Sequence, residues 1–149
     1  MLGFIRPRNL QLFSVIHPSA YVAKTANISD GVILAPNTFV GPCAKIGSGT
    51  IVNVSSTVGH DCTIGEACVI SPHVNINGSV EVGVGAFFGS KTSVDPGVKI
   101  GTFSKMVSGS SVRKDLDEGH LFLSDQKRTV KMFSLENGKS LFSKKPDPV

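Results

Sequence analysis

Tryptophan is absent from this chain of 149 residues, and tyrosine occurs once. A nucleic-acid surface wants a basic stripe with interleaved aromatics, and the body of this chain is neutral. Cysteine is scarce and odd in number: Cys43, Cys62 and Cys68 form no CxxC pair and no metal-ligand spacing. Free thiols in a cytoplasmic protein are the expectation. No apolar run approaches the ~20 residues that cross a bilayer, so membrane insertion is not expected. The opening MLGFIRPRNLQLF lacks the apolar stretch of a signal peptide. The sequons at Asn27, Asn53 and Asn77 accordingly carry no glycosylation meaning. Charge of one sign is missing from the body. Residues 16–112 carry five Lys against five acids, and the net +4 comes from Arg6, Arg8 and the segment after 112.

What is present is glycine, at 16 residues, and an unbroken period. Stepping by six from Ile16, the chain reads Ile16, Val22, Ile28, Leu34, Val40 and Ile46, and continues apolar at every step to Met106 and Val112. Two residues before each, the side chain is small or β-branched, as at Ala44, Thr50, Ser56, Cys62, Cys68 and Val74. Inward positions two apart are the strand period, so each hexad is a short strand plus a corner. Three hexads make a triangular coil of eighteen residues, an all-β parallel β-helix of about five to six coils in one domain. Gly47, Gly65, Gly83 and Gly101 recur at that spacing, which predicts a corner with an unusual backbone angle. The expected boundaries are a cap over 1–15, the coil over 16–115, and an extension over 116–149. Within the extension, Asn137-Gly138 between alternating runs predicts a hairpin, and residues 144–149 are expected to be loose.

With inward positions committed to the core, chemistry must sit on corners and outer faces. His60 falls at a corner in VGHDC, with Asp61 beside it, Gly78 one coil above and Pro42 one coil below. Near neutrality an imidazole is a competent general base. Asp61 can fix its tautomer, and the Gly78 N–H can hold a developing oxyanion. On the pattern alone, a solvated corner histidine with a chance neighbour fits as well. His17, His60 and His73 do not converge as a zinc site requires, so no metal is expected. Ser108-Gly109-Ser110-Ser111 lacks the strand-to-helix context of a phosphate loop. Lys91, Lys105, Arg113 and Lys114 are expected nearby, where they can meet phosphates or simply be solvated.

VIHPSA (15–20), NVSSTVGHDCTIG (53–65), ISP (70–72) and SGSSVRKD (108–115) resemble the sialic-acid O-acetyltransferase and UDP-amino-sugar N-acetyltransferase family. The resemblance spans roughly 14–115, with HDCTIG its most specific part. It implies a left-handed β-helix, acetyl-CoA as co-substrate, and a homotrimer with active sites between subunits. It implies His60 as the general base, Asp61 as its partner, and the amide of Gly78 on the acetyl carbonyl. Val69, Ser90 and Ser108 match cofactor contacts, and Asn53 matches an acceptor-pocket position. The acceptor is then a small-molecule sugar, acetylated on a hydroxyl or an amine, in surface-polysaccharide biosynthesis.

Three departures stand out. The family usually has His where this chain has Val69. Only about 15 residues precede the repeat, where members carry a sugar-nucleotide domain, and the Gly-x-Pro-Ala-Lys ending is replaced by LFLSDQKRTVKM. The rival reading is a non-catalytic β-helix scaffold or assembly subunit that has lost its acceptor domain.

Overall fold

The computed structural model describes residues 11–123 and 128–132. The start of the expected cap, the hairpin expected at Asn137-Gly138 and residues 144–149 lie outside them.

The described chain is a left-handed parallel β-helix. Two-residue strands begin at β1 (Val15–Ile16), β2 (Tyr21–Val22) and β3 (Asn27–Ile28), and recur every six residues to β17 (Ser111–Val112). Up to Ser93–Val94 each pairs in parallel with the strand eighteen residues on, as in Val15↔Ile33, Tyr21↔Phe39 and Asn27↔Lys45. Three flat sheets result. The first face runs through Ile16, Leu34, Val52, Ile70, Phe88 and Met106, the second through Val22, Val40, Val58, Ile76, Val94 and Val112, and the third through Ile28, Ile46, Ile64, Val82 and Ile100. From Leu34 onward these second strand residues point inward and are at most 5% exposed. Each buried Val or Ile contributes roughly 1.5–3 kcal/mol.

The corners are where sequence expectation and structure part. Gly47, Gly65, Gly83 and Gly101 do not have positive φ. They are glycine because the coils approach too closely for a side chain: a Cβ on Gly65 would lie 2.7 Å from the carbonyl carbon of Gly83. The left-handed residue comes two positions later and recurs at every hexad from Gly31 to Gly109, including Asn37 (57°), Cys43 (59°), Asp61 (58°), Lys91 (61°) and Phe103 (56°). Its N–H turns down onto the coil beneath, as Asp61 does to Pro42 O at 2.9 Å and Ser79 to His60 O at 2.8 Å. Strand N–H groups point the other way, as Thr57 to Val74 O at 2.9 Å. That bond downward offsets the cost of about 1–2 kcal/mol that a Cβ carries at positive φ.

The small inward positions also do more than fill space. Four of them donate a hydroxyl or thiol to a corner carbonyl fifteen residues on: Thr50 to Gly65 O (2.8 Å), Ser56 to Ser71 O (2.8 Å), Cys62 to Asn77 O (2.9 Å) and Cys68 to Gly83 O (3.2 Å). Each ties one coil to the corner above it.

The winding does not stop at 115. Leu116 bridges to Ile100, and β18 (His120–Leu123) joins the first face beside Lys105–Met106 with a step of sixteen residues. β19 (Arg128–Lys131) then returns antiparallel against it, Leu121 facing Val130. This pair covers the open edge of the first face.

Candidate functional site

The second corner, between the second and third faces, carries His60. Its register position is filled elsewhere by Pro18, Pro36, Pro42, Pro72 and Pro96. Proline has no N–H to give, and it recurs here because this position donates no main-chain bond to the stack. Neither His60 nor Gly78, both in this register, donates one. The Gly78 N–H is therefore without a partner among the described residues.

His60 Nδ1 lies 2.8 Å from Asp61 Oδ2, with both side chains about 60% exposed (64% and 60%). A proton on Nδ1, held by the carboxylate, leaves the lone pair on Nε2. The left-handed backbone of Asp61 swings its carboxylate back beside the ring. The imidazole leans over Gly78 in the next coil. A Cβ built on Gly78 would collide with Nε2 and stand 2.6 Å from Cε1, so glycine at 78 makes room for the ring. Gly59 serves packing instead: its Cβ would meet the backbone of Asn77 and Gly78 at 2.7 Å.

The Asn77–Gly78 peptide is fixed from both sides. Cys62 Sγ donates to Asn77 O at 2.9 Å, and the Asn77 amide donates to Val94 O at 2.7 Å. Burial raises the Cys62 thiol above its ordinary range and outweighs the hydrogen bonds that lower it, so it stays a donor.

The other expected site residues are elsewhere on the prism. Ser90 and Ser108 share the first corner, where Gly109 N–H reaches Ser90 O at 2.8 Å. Asn53 opens that same corner lower down, its Oδ1 accepting from Val54 N–H at 3.3 Å. Val69 points outward on the first face, in register between Ile51 and Phe87. The structure thus unites His60, Asp61 and Gly78 in one corner and leaves Ser90 and Ser108 across the second face, roughly 20 Å sideways at about 3.3 Å per residue and two and three rungs higher. Val69 lies on the face opposite the His60 corner.

The four cations expected nearby one another are split. Lys91 sits at the first corner and Lys105 on the first face, while Arg113 and Lys114 crown the His60 corner. Lys114 is three rungs above His60, about 14 Å at the interstrand spacing of ~4.8 Å.

Sequence reasoning passed over two thiols. Cys43, exposed, is one coil beneath Asp61. Cys62 was assigned to the core alone. Both follow from the eighteen-residue stacking already used to pair His60 with Gly78.

Several solved structures resemble the chain. PerB from Caulobacter crescentus, in complex with CoA and GDP-perosamine, superposes with a TM-score of 0.83 at 32% identity, covering 87% of this chain and 63% of that one. The chain has the fold of left-handed β-helix acetyltransferases. The acetyltransferase domain of PglB from Neisseria gonorrhoeae (TM-score 0.82, 22% identity, covering 87% and 63%) and WeeI from Acinetobacter baumannii (0.81, 22%, covering 87% and 63%) share that fold. This chain spans about three fifths of the length of these proteins. No family model and no curated protein matches it.

Among the described residues no group of three His, Cys, Asp or Glu side chains is placed to hold a metal ion. No described helix is long and apolar enough to cross a membrane.

Proposed function

We propose that this protein transfers the acetyl group of acetyl-CoA to a hydroxyl or amine of a sugar, with His60 as general base. The observation that carries the reading is the paired geometry at the second corner: Nδ1 of His60 held by Asp61 at 2.8 Å, with Nε2 turned over Gly78 and its unpartnered N–H.

The acceptor O–H or N–H gives its proton to His60 Nε2 as its lone pair attacks the thioester carbonyl carbon. The carbonyl oxygen gains negative charge and takes the Gly78 N–H. Collapse breaks the C–S bond, the acetyl group stays on the acceptor, and the CoA thiolate recovers the proton from the imidazolium. No covalent enzyme intermediate is needed. Cys62 and Cys68 are buried, and burial raises both thiols, the wrong direction for nucleophiles. Arg113 and Lys114, about 14 Å above the dyad, suit the phosphates of a cofactor whose thioester lies at His60.

Assembly completes the site. The outward column of the first face is apolar over five rungs, Val15, Ile33, Ile51, Val69 and Phe87, before it reaches Lys105, with Val15 61% and Phe87 40% exposed. An apolar stripe of this length favours burial against further copies. A threefold assembly is the arrangement that lets Ser90 and Ser108 of a neighbour face His60. In this setting Val69 reads as a packing residue.

The test is thiol release from acetyl-CoA with a panel of amino and neutral sugars. Wild type turns over and His60→Ala does not. Full activity in the alanine variant removes the mechanism, and failure of acetyl-CoA to bind leaves the scaffold reading. Light scattering giving three times the chain mass, reduced by Phe87→Asp together with activity, supports the assembly.

A further inference from the structure

The three faces present three different chemistries at their outward strand positions. The first is apolar from Val15 to Phe87 and then carries Lys105. The third alternates polar and charged residues, Asn27, Lys45, Thr63, Glu81 and Lys99, with Lys99 and Glu81 paired at 3.3 Å. The second reads Tyr21, Phe39, Thr57, Asn75, Ser93 and Ser111, with no charge at any strand position.

Its lower end carries two stacked rings. Tyr21 and Phe39, 59% and 40% exposed, have centroids 5.2 Å apart and planes within 8°. That separation is close to the rung spacing, so the rings stack along the coil axis. Tyr21 covers one side of Phe39. The other side turns towards the rung of Thr57, which also carries His60. Thr57 is short, and its hydroxyl is drawn upward to Asn75 Oδ1. Asn75 Nδ2 in turn reaches Asn77 Oδ1 at 3.4 Å, linking the face to the residue before Gly78.

We propose that the second face is an acceptor subsite in which Phe39, backed by Tyr21, supports a neutral pyranose ring one unit away from the ring that is acetylated. This rests on the acetyl-transfer reading for the identity of the reacting ring. The C–H face of a pyranose suits an aromatic surface, and its hydroxyls both donate and accept, as Thr57, Asn75 and Ser93 do. An uncharged column offers nothing to a phosphate. The distance sets the register: Thr57 and His60 are three residues apart, about 10 Å, too far for one ring to touch both Phe39 and the imidazole. The acceptor preferred here is therefore at least a disaccharide.

Tyr21 is the only tyrosine and there is no tryptophan, so emission excited beyond the phenylalanine absorption band comes from Tyr21. The full chain is titrated with cellobiose, maltose, lactose and diacetylchitobiose, with the matching methyl monosaccharides, and with GMP and UMP, in wild type and His60→Ala. At least one disaccharide is expected to change Tyr21 emission saturably in both proteins, at least tenfold more tightly than its monosaccharide, and Phe39→Ala to weaken it tenfold or more. With an acceptor that supports thiol release, Phe39→Ala is expected to raise its KM fivefold or more and leave the acetyl-CoA KM unchanged.

No disaccharide response, a response to the nucleotides alone, or unchanged affinity in Phe39→Ala overturns the subsite. So does a fall in assembly mass on Phe39→Ala, which would make the pair a subunit contact. Binding to the His60→Ala protein needs no turnover, so loss of the acetyl-transfer reading and loss of the subsite give different results.

Discussion

The thiol of Cys62 donates to the main-chain carbonyl of Asn77, and that carbonyl belongs to the same rigid peptide as the Gly78 N–H. A buried thiol beneath the corner therefore sets the angle of the group proposed to hold the oxyanion. Cys62→Ala is expected to lose the bond and about 1 kcal/mol of stability, with kcat falling more than the acetyl-CoA KM changes. Cys62→Ser, which keeps a donor, is expected to recover most of kcat. Urea unfolding and steady-state kinetics on the two variants check this. Equal kcat in both would make the bond merely structural.

Alkaline pH is expected to weaken the fold through Cys62 and Cys68. Burial raises both thiols above 9.0. Below about pH 9 folded and unfolded chains both keep these protons. Above it the unfolded chain releases them while the folded one holds them, so stability falls as pH rises. Unfolding midpoints between pH 8 and 10.5 are expected to decline, and to decline less in the Cys62→Ser/Cys68→Ser double variant.

Gly78 and Gly59 are expected to fail differently. Gly78→Ala pushes the imidazole off its position, so activity should drop at least a hundredfold, about 2.7 kcal/mol in barrier, with the melting temperature little changed. Gly59→Ala presses a methyl into the backbone above it and should cost about 1–3 kcal/mol of stability. Comparing kcat with thermal melting separates a glycine kept for a side chain from one kept for packing.

His60→Gln and Asp61→Asn divide the dyad. The first removes the proposed base and is expected to lower kcat by about 10²–10⁴. The second keeps the shape but loses the charge that orients the ring, and should cost less. Acetyl-CoA affinity, measured by calorimetry, is expected to be unchanged in both.

Of the three thiols only Cys43 is exposed. One equivalent of iodoacetamide should enter the folded chain and three the unfolded one. The adduct on Cys43 sits directly beneath Asp61 and is expected to depress activity. Peptide mapping by mass spectrometry identifies the position.

The coil was legible because each hexad must bury one apolar residue, and Ile16 to Val112 never miss the step. Its upper end was not. Leu116 and Phe122 leave the six-residue register, and the shortened last coil follows from closing against Ile100 and Met106, contacts no local pattern announces. The corner angle was misplaced for a physical reason. Glycine recurs where coils approach closely, as at Gly65, while the left-handed position two residues on accepts Asp61 or Phe103 because a downward hydrogen bond holds it. His60, Asp61 and Gly78 could be brought together by counting eighteen. The lean of the imidazole needed coordinates.

The fixed step between rungs makes the second corner a ruler. Inserting eighteen residues between Gly78 and Lys114 would lift the two upper cations by one graduation, about 4.8 Å, and leave the dyad untouched. A single inserted residue would instead turn every later side chain inside out. Length along this molecule is thus adjustable only in whole increments, and the reach from His60 to the two cations is quantised by the winding.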